Sequence, residues 1–176
     1  MRPATVIALG VLLAALAPIG VRAQNGRGGD LAARIQASED REAIRALWAA
    51  YGRTLDARDF VAFSKLFARN AEFGSGPGAA KGPAAIGAFL EKAIGSNYPD
   101  SKGKNFHLYF NESIDVKGDH ATAISKGGYV MATPDNSKAD FLLLAEYRDE
   151  LVKEDGQWKF LKRVIVGEIP VPRPPR

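Results

Sequence analysis

Cysteine is absent from this sequence and histidine occurs only twice. Without a thiol there is no disulfide framework, no diacylated cysteine anchor and no cysteine nucleophile. Two histidines, His107 and His120, with no close spacing to carboxylates, give no pattern expected of a metal site. Runs of one charge are missing too, because basic and acidic residues are interspersed and no aromatics alternate within a basic cluster. That pattern argues against a nucleic-acid partner. The glycine-rich stretch GSGPGAAKG ends in Lys-Gly, where a phosphate loop needs Gly-Lys-Ser/Thr, and no GxSxG elbow occurs. What remains is general acid/base chemistry, with no cofactor motif.

Long apolar runs are scarce as well. The opening residues MRPATVIALGVLLAALAPIGVRA carry an early arginine and an apolar stretch broken by Pro18 and Gly20. Small residues follow at the positions a signal peptidase reads, so cleavage is expected before Gln24. The rival reading, an uncleaved anchor, asks this short, proline-broken stretch to span a bilayer. Cleavage of residues 1–23 removes two arginines and no acidic residue, and net charge falls from +4 to +2 over 153 residues. The expected product is periplasmic or secreted, with no stable membrane anchor. Its length suits one domain that builds its core without metal or disulfide.

Along the chain, residues 24–34 start with QNGRGGD and read as a flexible leader. Ser38 reads as a helix cap, and Ile44, Leu47, Trp48, Tyr51 and Leu55 fall on one helical stripe that ends near Asp56. Phe60, Phe63, Leu66 and Phe67 resume helical spacing, residues 71–73 fit a short strand, and Pro83 suits the first turn of a third helix. After residue 104 the period becomes two. Asn105, His107 and Tyr109 alternate with Phe106, Leu108 and Phe110, and strands are expected at 119–132, 139–153 and 157–167. Asp155-Gly156 marks the last hairpin. Helices followed by strands joined through tight turns predict an α+β fold with an antiparallel sheet. The domain spans 35–168, and the proline-rich tail 169–176 cannot continue a central strand.

Asp56 and Asp59 raise a question, because a carboxylate at a helix C-terminus opposes the macrodipole. Asp59 precedes the next helical pattern and serves as its cap. Asp56 has either a surface partner in Arg53 or Arg58 or a function. His107 lies mid-strand on the more polar parity, unusual for a core filler. A carboxylate partner would orient it and make it a better proton acceptor. Tyr51 belongs to the helical stripe, and five residues of helix turn Tyr51 and Asp56 to different directions unless a pocket wraps the helix end. Tyr147, on its strand, could line either a cavity or the sheet.

The runs EDREAIRALWAAYGRTLDARDFVAFSKLFARNAEF, GDHATA and YRDELVKEDGQWKFLKRVIV, with His107 opening a strand, resemble the SnoaL-like branch of the nuclear-transport-factor-2-like superfamily. Scytalone dehydratase, bile acid 7α-dehydratase and ketosteroid isomerase belong to that superfamily. The resemblance covers about residues 35–167. It implies a cone-shaped α+β barrel, a curved antiparallel sheet wrapped around about three N-terminal helices, with a deep pocket at its open end. It also implies that Tyr51, Asp56 and His107 are catalytic, with Trp48, Tyr109, Met131 and Tyr147 facing the pocket. Asp56 would orient His107 to take a proton α to a carbonyl, and Tyr51 would bind the oxyanion or leaving hydroxyl. Met131 stands where scytalone dehydratase has a second histidine. The implied partners are a small hydrophobic molecule and a second copy of the chain.

Overall fold

The computed structural model describes residues 21–96, 104–133, 135 and 137–169. Most of the expected signal segment and all but Ile169 of the expected tail lie outside them. The chain divides into two units, Met1–Ile35 and Gln36–Arg176. In the first, every described residue is helical. Helix α1 is Val21–Asp56, so it starts ahead of the cap expected at Ser38 and takes in the residues expected to be a leader. Ala32, Ala33, Arg34 and Gln36 favour helix, and no proline interrupts the chain between Pro18 and Pro77. Among the described residues no helix is long and apolar enough to cross a membrane.

Within Gln36–Arg176 the expected stripe is the buried face of α1. Ile44, Leu47, Trp48, Tyr51 and Leu55 are each at most 7% exposed. Asp40 ties this part of the helix to the sheet, accepting hydrogen bonds from Trp158 Nε1 at 2.8 Å and Lys153 Nζ at 2.7 Å. Burial alone would raise its pKa, but these two donors outweigh it and hold the carboxyl below its ordinary value.

After α1, Asp59 caps α2 (Phe60–Ser64) by accepting the Ala62 N–H at 2.9 Å. Leu66 and Phe67 do not extend this helix as their spacing suggested. Phe67 instead opens β1 (Phe67–Phe73), where its ring packs 5.3 Å from Phe160. Tertiary packing overrides the helical period here. The short β2 (Ala80–Lys81) leads into α3 (Pro83–Leu90), which widens into a π turn over Glu91–Ser96. Four long strands follow: β3 (Asn105–Lys117), β4 (His120–Ala132), β5 (Ala139–Glu154) and β6 (Gln157–Ile169). Asp155 and Gly156 both have positive φ, as a tight hairpin between twisted strands demands.

The six strands form one curved, unclosed sheet in the order β2-β1-β6-β5-β4-β3. One expectation is corrected: β1 pairs with β6 in parallel, so the sheet is mixed rather than wholly antiparallel. Hairpin turns dictate antiparallel neighbours, whereas β1 reaches its partner from far away in sequence and is free of that constraint.

The more polar parity of β3 is the one that turns inward. Asn105 is 2% exposed, while Phe106 and Phe110 on the opposite face are 62% and 44% exposed. Register shifts interrupt β3 between Phe110 and Ser113, the β4/β5 pair beside Tyr129, and the β5/β6 pair at Glu150/Leu151. Such irregularities bend a strand and change which residues face the core. Gly127 is required by close approach, since a Cβ there would lie 2.6 Å from the Leu108 carbonyl oxygen and 2.7 Å from the Tyr147 ring.

Candidate functional site

The last turn of α1 and the inward face of β3 meet where Asp56 and His107 lie. Asp56 Oδ1 is 2.7 Å from His107 Nδ1, and Oδ2 accepts the His107 backbone N–H at 3.2 Å. One carboxylate therefore grips both the ring and the backbone of the same residue. A carboxylate can only accept, so Nδ1 carries a proton, and in the neutral ring the lone pair is on Nε2. The His107 side chain is 5% exposed. Gly52, one turn before the helix end, makes room for it, because a Cβ there would sit 3.1 Å from the His107 Cβ.

His107 lines a cavity of about 300 Å³, within the range of small-ligand sites. Tyr51, Tyr129 and Tyr147 contribute its hydroxyl-bearing rings, and the remaining lining is apolar, including Phe73, Phe89 and Leu142. Tyr51 approaches His107 edge-on at 6.0 Å between ring centroids, so the helix twist that separates Tyr51 from Asp56 is bridged by a cavity. Burial raises the pKa of Tyr51 and Tyr147 more than the nearby Arg163 charge lowers it. Both phenols therefore stay protonated and able to donate near neutral pH.

Behind those rings lies a group the sequence reading did not single out. Arg163 is fully buried and bidentate on Asp149, with Nε donating to Oδ1 at 2.8 Å and Nη2 to Oδ2 at 2.7 Å. Trp48 Nε1 donates to the same Asp149 at 2.8 Å. The guanidinium carbon sits 4.2 Å from the Tyr51 ring centroid and 5.0 Å from that of Tyr147. Burial disfavours the cation, but the Asp149 charge more than reverses this and keeps Arg163 protonated. Simple alternation from Trp158 and Phe160 would turn Lys162 inward; the register shift at Leu161 turns Arg163 in instead.

The other expected pocket residues divide. Tyr147 lines the cavity. Trp48 and Tyr109 do not: they stack on one another at 6.2 Å, with Trp48 bonded to Asp149 and Tyr109 packed against Arg163 at 5.7 Å. Met131 also lies outside the lining, paired in register with Asn105; the residue opposite His107 on β4 is Tyr129. His120 is exposed beside its turn. Among the described residues no three His, Asp or Glu side chains gather as metal ligands would.

A family model described as the SnoaL-like domain matches residues 36–164. An NTF2-like protein with a cystatin-like fold from Novosphingobium aromaticivorans is 26% identical with a TM-score of 0.68, covering 81% of this chain and 91% of its own. A candidate scytalone dehydratase from the same organism is 26% identical with a TM-score of 0.64, covering 76% and 87%. A protein of unknown function from Mycobacterium tuberculosis shares the fold at 24% identity and a TM-score of 0.66, covering 76% and 74%. No curated protein matches the chain.

Proposed function

The chain belongs to the SnoaL-like family of NTF2-like folds, whose members include dehydratases and isomerases, and from that premise we propose a cofactor-independent dehydratase or isomerase acting on a small hydrophobic hydroxy-carbonyl compound. The observation that carries this reading is the 2.7 Å contact between Asp56 and His107 at the wall of an apolar cavity. In the reaction, His107 Nε2 takes the proton α to the carbonyl, and Asp56 holds the resulting imidazolium. Tyr51 donates to the enolate oxygen. For a dehydration, the C–O bond β to the carbonyl then breaks, and hydroxide leaves as water with a proton returned from the site. For an isomerisation, His107 returns the proton at another carbon.

The test is incubation with uncharged aryl ketones bearing a β-hydroxyl, such as 3-hydroxy-1-tetralone, followed by mass spectrometry. Loss of water or a shifted double bond is the expected result. Compounds that bind in the cavity and emerge unchanged would replace this reading with that of a non-catalytic ligand-binding protein.

We further propose that the mature protein is secreted or periplasmic, on the strength of residues 1–23, and that it pairs with a second copy. Support for pairing comes from the outer face of the sheet. Phe106, Leu108, Phe110 and Phe141 are 42–62% exposed there, and the charged trio Lys126, Glu146 and Arg148 borders them on the Phe110 side. An apolar patch rimmed by polar residues marks an interface more often than a free surface. Light scattering is expected to read twice the chain mass, and Phe106→Lys with Phe141→Lys should halve it; a monomer before substitution rejects the pairing.

A further inference from the structure

Helix α1 ends on an arginine where glycine is the usual residue. Arg58 has φ 59°, its N–H bonds the Leu55 carbonyl at 3.0 Å, and the Asp59 N–H bonds the Thr54 carbonyl at 2.8 Å. That pair of bonds is a Schellman end, whose left-handed residue is strained for any side chain with a Cβ. A strained residue retained beside a site calls for a function of its side chain.

The Arg58 guanidinium has such a function available. Nη1 donates to the Leu55 carbonyl at 2.7 Å, and Nη2 donates to the Tyr129 hydroxyl at 3.0 Å. Tyr129 in turn donates to Asn105 Oδ1 at 2.9 Å, and Asn105 Nδ2 donates to the Asp56 carbonyl at 3.2 Å. The Tyr129 ring lies over His107, with centroids 4.7 Å apart and planes inclined by 32°. A closed circuit thus runs from the helix end, through the cavity wall and back to the residue that holds the histidine. A neutral phenol has one proton, and Asn105 takes it. Tyr129 therefore presents its ring to the cavity and keeps its hydroxyl proton away from a bound molecule.

We propose that Arg58 is a positioning residue, held in a strained conformation so that its guanidinium fixes Tyr129 against His107 and leaves His107 Nε2, Tyr51 and Tyr147 as the polar groups available to a substrate. The assignment rests on the reading of His107 as the acting base. A plain helix cap is the competing role, and it is separable, because glycine serves that role at least as well.

The experiment uses Arg58→Gly and Tyr129→Phe, with ring-labelled tyrosine and histidine followed by NMR. In the unsubstituted protein the Tyr129 ring should flip slowly and shift the His107 ring protons by its ring current. In Arg58→Gly the fold should persist with little change in melting temperature, while Tyr129 flips fast and the His107 shifts relax. Tyr129→Phe, which leaves the helix end intact, should move the His107 shifts in the same direction. Where a substrate is turned over, Arg58→Gly should lower kcat by about ten- to a hundredfold with KM little changed. Unchanged Tyr129 and His107 resonances in Arg58→Gly would overturn the proposal, whether or not the protein is active. Absence of turnover in the unsubstituted protein would instead reject the reading of His107 as a base, and the resonances would still decide what Arg58 holds.

Discussion

Replacing Arg163 with alanine is expected to destabilise the domain by about 3–5 kcal/mol, because it leaves the buried carboxyl of Asp149 without its bidentate partner. The loss should lower the thermal midpoint by about 10 °C or more. Truncation also removes the cation that sits against the rings of Tyr51, Tyr147 and Phe160, opening a void beneath the cavity. A buried pair can cost as much to desolvate as it returns, so the double variant Arg163→Met, Asp149→Leu should recover part of the loss. It should not recover all of it, since the Trp48 indole N–H would then lack its acceptor. Thermal unfolding of the two single variants and the double variant checks this. A cost under about 1 kcal/mol for Arg163→Ala would mean that the ion pair does not hold the cavity floor in place.

Loss of the His107 imidazole is expected to act in the opposite manner, on chemistry more than on stability. His107→Gln keeps an amide able to donate to Asp56 but has no basic nitrogen, and turnover should fall by about 10²–10⁴-fold. Asp56→Asn should be nearly as damaging for a different reason. An asparagine amide can donate to Nδ1, which would place the proton on Nε2 and take away the lone pair proposed to accept the substrate proton. Asp56→Ala, unable to enforce that wrong tautomer, should retain more activity than Asp56→Asn. Steady-state kinetics on the three variants, with circular dichroism to confirm folding, reads the order.

How far these features were legible in the sequence depended on whether local pattern or long-range register decided them. The buried stripe of α1, the Asp59 cap and the Asp155-Gly156 hairpin are local, and each follows from spacing and backbone chemistry. The meeting of Asp56 with His107 spans 51 positions, and only the family resemblance pointed to it. Arg163 was hidden by a register shift of one residue that inverts the strand's alternation. Tyr129 was hidden because its importance comes from lying opposite His107 on the neighbouring strand. Period two placed Phe106, Leu108 and Phe110 on one face of β3, but alternation separates two faces without saying which is covered, and theirs is the outer one. Arg58 stood out only as a possible surface partner of Asp56, and its left-handed conformation carried no signal, because it belongs to a position where glycine is the expected residue.

The measurement that tests the central claim most directly is deuterium incorporation at the α-carbon of 3-hydroxy-1-tetralone in heavy water, since proton abstraction precedes both water loss and double-bond migration. The unsubstituted protein is predicted either to exchange that position for deuterium or, where water leaves faster than the proton returns, to release the dehydrated product, in each case well above the uncatalysed rate. His107→Gln is predicted to reduce the rate to background while remaining folded. Exchange at the full rate in His107→Gln would contradict the account, because the proton would then be taken by a group other than the histidine that Asp56 holds.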